Sequence, residues 1–164
     1  GVNLRIISAS WGSTSYSKAL EDTIRAAGNA GILFVAAAGN DGSNNDKRPH
    51  YPSNYDLPNV ISVAALDRND KLASFSNFGT KTVHIAAPGK DILSTWLNNA
   101  YREASGTSMA TPYVSGVAAL IIANEPKITM EKLRAKLLSS ADKIDSLSGK
   151  VANSGRVCAA NATD

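Results

Sequence analysis

Gly106-Thr107-Ser108-Met109-Ala110-Thr111-Pro112 leads into the small-residue stretch 113–122, and the reading of these residues decides the fold. A helix opening near Ser108 aims free backbone N–H groups and the positive end of its dipole at the serine oxygen. That suits acyl transfer, whose intermediate is an oxyanion. Gly106 lets the backbone turn sharply, Pro112 fits a first-turn position that needs no amide, and Ala110, Ser115, Gly116, Ala118 and Ala119 permit close helix packing. A plainer reading uses the same residues, because serine and threonine are common caps of core helices.

Outward from this motif the chain alternates between two periodicities. Residues 4–9, 32–37, 60–65 and 83–87 are short, apolar and partly β-branched, as in strands buried on both faces of a parallel sheet. A helix is expected over about 17–29, where Leu20, Ile24 and Ala27 recur at helical spacing and Gly28 and Gly31 bracket the end. The helix after Ser108 runs to about 123–124, and another begins near Thr129 with Met130, Leu133, Leu137 and Leu138 on one stripe. Residues 41–54, rich in Gly, Ser, Asn, Asp and Pro, form an exposed loop, and 67–72 form a turn. The weakly periodic tail 146–164 is expected to pack as turns. The fold class is therefore α/β, a mostly parallel sheet flanked by helices.

Composition narrows the function. At 164 residues the chain can bury a sizeable core, and 43% hydrophobic with 19% charged residues is ordinary for a globular protein. No apolar run reaches the length of a membrane span. The net charge of +3 comes from scattered residues such as Lys18, Arg25, Lys71, Lys132 and Lys136, which gives no support to nucleic-acid binding. A lone Cys158 makes neither an internal disulfide nor a metal cluster. Asn161-Ala162-Thr163 matches a glycosylation sequon, a chance-level signal.

The run Gly-Thr-Ser-Met-Ala-Thr-Pro, followed by a small-residue helix, resembles the active-site serine signature of the subtilisin-like serine proteases. Further segments resemble the same family in the same order: 6–12, with Trp11 where leucine is usual; 32–40, ending in Ala38-Gly39-Asn40; Tyr51-Pro52; 60–65; Ala73-Ser74-Phe75-Ser76; and Ala87-Pro88-Gly89. The resemblance covers the whole chain and implies a three-layer, subtilisin-like architecture, here incomplete. It assigns Ser108 as nucleophile and Asn40 as oxyanion-hole donor. It assigns Ser10, Trp11 and Gly12 to β-pairing with an extended peptide. Ala37, Ala38, Gly39 and Gly12 become walls of the primary pocket, with Asp41 near its mouth and His50 close to its base. Small walls leave room for a large apolar side chain, while Asp41 favours a basic one.

In this family the triad runs Asp, His, Ser, so both partners of Ser108 precede it. His50 lies in Lys47-Arg48-Pro49-His50-Tyr51 without the family's histidine context, and His84 interrupts the apolar run 83–87 as a strand histidine. The resemblance implies that residues 1–164 are the C-terminal part of one peptidase domain, with the aspartate and histidine on an upstream half. This chain alone is then expected to be inactive, and its strand 4–9 to leave an apolar edge open. The expected partners are a polypeptide substrate, that upstream half, and a propeptide or protein inhibitor, with no nucleic acid or membrane. No cofactor is required for the chemistry; structural calcium is expected by resemblance, with 53–58 similar to a weak family site. Secretion is the family expectation.

Three other readings fit these residues less well. An α/β-hydrolase elbow needs a histidine after its serine, and none follows Ser108. Ala38-Gly39-Asn40-Asp41-Gly42 lacks the full phosphate-cradling glycine pattern. A catalytically silent fragment of the same fold, acting as a binding or scaffold module, has no need of Ser108 and Asn40 in these contexts.

Overall fold

Two strands are buried at every position, and they set the layers: β2 (Leu33–Ala37) and β3 (Val60–Leu66) carry apolar side chains toward both faces of the sheet. The computed structural model describes residues 2–164. In it β1 (Ile6–Ala9), β2, β3 and β4 (Ile85–Pro88) pair in parallel and in chain order. On one face, Leu33, Val35, Ile61, Val63 and Ile85 pack against α2 (Thr107–Asn124), α3 (Met130–Ser139) and the short α4 (Ala159–Thr163). On the other, Phe34, Ala36 and Val60 pack with Ile24 of α1 (Lys18–Asn29). This is the three-layer α/β arrangement that the alternating pattern implies.

The helix ends follow their caps. Ser17 accepts from the Leu20 N–H to open α1, and Thr129 accepts from Lys132 to open α3, as sequence spacing indicates. The stripe of Met130, Leu133 and Leu137 is buried core. Two features depart from expectation. Between β4 and α2 lies an exposed antiparallel hairpin, β5 (Ile92–Trp96) with β6 (Ala100–Ala104), which has no counterpart among the expected elements. The tail 146–164 is also more regular than turns: β8 (Gly155–Arg156) joins β7 (Asp142–Lys143), just ahead of the tail, in extending the main sheet beside β4, and α4 follows. Arg156 fixes this extension by pairing with Asp70 at 2.7 Å and Asp142 at 2.9 Å.

The loop that follows β2 is clamped to the turn before β4 by one carboxylate. Asp46 accepts from the N–H groups of Thr80, Lys81 and Thr82 and from the hydroxyls of Thr80 at 3.0 Å and Thr82 at 2.8 Å. Partial burial pushes its pKa upward, but the bonds from Thr82, Lys81 and Thr80 outweigh that and hold it below the ordinary carboxylate value. A carboxylate with a lowered native pKa stabilises the fold above its unfolded pKa and ceases to do so as pH falls through the native one. Asp46 is exposed, so screening limits its contribution. Asp46→Ala should cost about 1–2 kcal/mol at neutral pH. The gap in Tm from wild type should shrink steadily in melts taken at pH values falling below about 3.9.

Candidate active site

The first turn of α2 meets the carboxyl end of β1 through two serines. Ser108 Oγ donates to the Ser10 carbonyl at 3.0 Å, and Ser10 Oγ donates to the Ser108 carbonyl at 2.8 Å. The second bond exists because of Pro112. This proline is the sixth residue of α2, not a first-turn residue as the sequence suggested, and it has no N–H for the carbonyl four residues earlier. That carbonyl belongs to Ser108, and the Ser10 hydroxyl takes the vacated acceptor. Gly89 brings the turn close, since a Cβ there would fall 2.8 Å from the Gly106 carbonyl; its own carbonyl accepts the Gly106 N–H at 2.8 Å.

Asn40 is oriented by Thr107. Its Oδ1 accepts from the Thr107 N–H at 2.8 Å and the Thr107 hydroxyl at 2.9 Å, and the same hydroxyl accepts the Gly39 N–H at 3.2 Å. A backbone donor on one side of the amide fixes which atom is oxygen, so Nδ2 faces the other way and carries no bond among the described residues. A Cβ built on Gly106 would stand 3.6 Å from both Asn40 Nδ2 and Ser108 N. These two nitrogens lie near the same point beside the first turn of α2, and neither donates a hydrogen bond among the described residues.

The turn holding Asn40 hangs on a buried amide network that the sequence did not reveal. Asn77 Oδ1 accepts from the N–H groups of Asp41 at 2.8 Å and Ser43 at 3.0 Å, while its Nδ2 donates to the Ala38 carbonyl and to Asn45 Oδ1. Asn45 also donates to the Ala38 carbonyl at 2.8 Å. Both amides are almost completely buried.

A cleft of about 570 Å³ opens beside Ser108. Of the residues assigned to the substrate, it is lined by Trp11, Gly12, Ala37, Gly39, Asp41 and His50, together with Asn40 and Ser108 themselves. Ser13, Thr14 and Thr107 join them unforeseen. Ala38 does not: it is fully buried and packs with Ala64, Leu66 and Val83. Ser10 acts through its bonds to Ser108 and is absent from the lining. The two walls are joined where Ser13 and Tyr51 exchange backbone bonds of 2.8 and 2.7 Å.

His50 changes the expected shape of this pocket. A Cβ on Gly12 would lie 2.3 Å from its Cε1, and a Cβ on Gly39 would lie 3.0 Å from its Cδ2. The imidazole therefore fills the slot between the two wall glycines, and the room that small walls implied is largely taken. Burial lowers the His50 pKa, partly offset by the Asp41 carboxylate, and its buried Nδ1 has no partner.

The other histidine lies elsewhere. Just ahead of β4, His84 Nδ1 accepts the Ser62 N–H at 2.9 Å and its own N–H donates to the Ser62 carbonyl at 3.0 Å. Residues 53–58, compared above with a calcium site, wall a separate cavity with Lys81, His84 and Arg134. The exposed Asp56 is the one carboxylate of that lining, which also holds the cationic Lys81 and Arg134.

A sequence model described as the subtilase family matches residues 2–157. The thermostable alkaline protease of Halalkalibacterium halodurans is 45% identical over 139 residues, which are 85% of this chain and 37% of that protein. Subtilisin DY of Bacillus licheniformis is 42% identical over 139 residues, 84% of this chain and 50% of its own length. Among solved structures, the prenylagaramide maturation protease PagA matches with a TM-score of 0.83 at 33% identity, covering 98% of this chain and 61% of that one. The chain spans half or less of these two curated relatives.

Asn77→Ala leaves the Asp41 and Ser43 amides and the Asn45 side chain short of a partner, at a cost of about 2–4 kcal/mol. Chemical denaturation should register that loss, and amide exchange at Asp41 and Ser43 should accelerate far more than in β3.

Proposed function

The chain belongs to the subtilase family, and on that footing we propose that it is the nucleophile-bearing part of a serine endopeptidase. The observation that carries this reading is the pair of unengaged donors, Asn40 Nδ2 and Ser108 N–H, converging beside the Ser108 hydroxyl. A base draws the Ser108 proton away from its bond to the Ser10 carbonyl as Oγ attacks the scissile carbonyl. The carbonyl oxygen, now negative, moves between the two donors. Collapse of that intermediate gives an acyl-enzyme that water hydrolyses.

The base and the carboxylate that orients it come from a segment beyond these residues. Ser108 Oγ is bonded to Ser10, the His50 ring makes no hydrogen bond among the described residues, and His84 is spent on β3. Two uncovered surfaces suit the docking of such a segment. β1 is the last strand of its sheet, with Ile6 and Ile7 half-buried. On the apolar α2, Tyr113 and Leu120 stand 44% and 50% exposed where a helix this hydrophobic is normally covered. Extracellular placement and a propeptide or protein inhibitor rest on family resemblance alone.

A fluorophosphonate, with the adduct located by mass spectrometry, reports an activated serine whatever the substrate. Rapid labelling of Ser108 in the assembled protein and little in this chain alone is the expected result. No labelling in either would favour the catalytically silent reading. In the assembled protein Asn40→Ala should lower kcat by roughly a hundredfold to a thousandfold, the range known for removing one such donor in a subtilisin, with KM little changed.

The primary pocket is proposed to take short side chains while His50 fills its slot. His50→Gly reopens the slot. Peptide panels varied before the scissile bond should show kcat/KM for phenylalanine rising against alanine by about tenfold or more.

A further inference from the structure

The second cavity, about 620 Å³, is built from residues that nucleophile chemistry does not use. It lies at the amino-terminal edge of the sheet, where Val60 opens β3 and His84 precedes β4, while Ser10 and Gly39 follow the carboxyl ends of β1 and β2. Tyr55 and Leu57 supply a buried apolar wall, and Arg134 of α3 reaches in from the side.

Arg134 is the informative residue. It is half-buried, and burial lowers its pKa without any carboxylate to compensate. Its Nε donates to the Val60 carbonyl at 3.3 Å, while neither Nη has a hydrogen-bond or ion-pair partner among the described residues. A guanidinium this desolvated ordinarily sits opposite an anion. His84 adds a neutral donor. Its Nδ1 accepts the Ser62 N–H, so the ring proton is on Nε2. Burial and then the nearby Arg134 charge push its pKa down to about 4, with Asp56 opposing them, so the ring stays uncharged. Lys81 stands exposed on the rim, and Asp56 is the one carboxylate of the lining.

We propose that this cavity is a binding site for a small oxyanion, a phosphate or a carboxylate, held by the Arg134 fork with help from His84 Nε2–H and Lys81. The segment 53–58, which resembles a family calcium seat, here walls a site of opposite preference.

Calorimetric titration of the 164-residue protein with inorganic phosphate and with acetate, at constant ionic strength in chloride, tests this. Saturable binding of either is expected, and the stronger of the two identifies the oxyanion. Arg134→Leu should weaken it by about tenfold or more. Because Arg134 is partly buried, two exposed positions are tested alongside it. Lys81→Gln should weaken binding severalfold, and Asp56→Asn, which removes the opposing charge, should tighten it severalfold. Neither anion binding saturably, or binding indifferent to all three substitutions, would overturn the proposal. So would saturable calcium binding that Asp56→Asn abolishes.

Discussion

One missing amide hydrogen organises the reactive end of this molecule. Pro112 interrupts the ladder of α2 in its second turn, and the carbonyl it leaves open is that of Ser108. In an isolated helix an interior proline costs about 3 kcal/mol or more. Here the Ser10 hydroxyl supplies the replacement donor, and the Ser108 hydroxyl returns a bond to the Ser10 carbonyl. The defect thereby becomes a tie between helix and sheet. It sets the end of β1 against the first turn of α2, and β2, registered on β1 from Ile6–Leu33 to Ala9–Ala36, brings Gly39 and Asn40 to the same place.

The tie would be of little use if the turn after β2 were free to move. That turn contains no regular structure, yet three of its polar groups are bound by the buried amides of Asn45 and Asn77. Asp46 fastens the next residues to the turn before β4. Preorganised donors stabilise charge because they do not have to reorient when it appears. Asn40 is an exposed residue on a loop, and its rigidity comes from fully buried neighbours on either side of it, Thr107 and Asn77.

The parallel sheet was legible because its strands are buried on both faces, so that Leu33–Ala37 reads as a continuous apolar run and Val60–Leu66 as one broken by Ser62 alone. The β5–β6 hairpin has no such face. Leu93, Trp96 and Tyr101 are all exposed, and the remaining signal was Asn98-Asn99, both at positive φ in the turn between the strands. Two-residue strands such as β8 carry no period at all. At the site, the motif around Ser108 and the resemblance of 32–40 to a family segment directed attention to Ser108 and Asn40. They were silent on Asn77 and Thr107, whose importance lies in what they touch across 36 and 67 residues of chain. Pro112 was misplaced for the same reason: a proline that looks like a helix start is tolerated further in when another strand supplies the lost bond.

The two histidines show why residue type alone does not make a base. A catalytic imidazole needs one nitrogen held by an acceptor that orients it, the other within reach of the serine hydroxyl, and a pKa near the working pH. His84 inverts the first condition, since its Nδ1 accepts a bond from backbone instead of donating one. His50 lies in the same cleft as Ser108 but fails it as well, its Nδ1 being buried without a partner beside Gly12. Burial lowers the basicity of both, which disfavours the imidazolium that general-base catalysis must form. The Ser108 hydroxyl, meanwhile, donates to a carbonyl that cannot accept its proton outright. In the reading proposed above, these residues supply the electrostatic half of the reaction, a fixed nucleophile with a space prepared for negative charge, and the proton leaves through a group that approaches from the open side of β1 and α2.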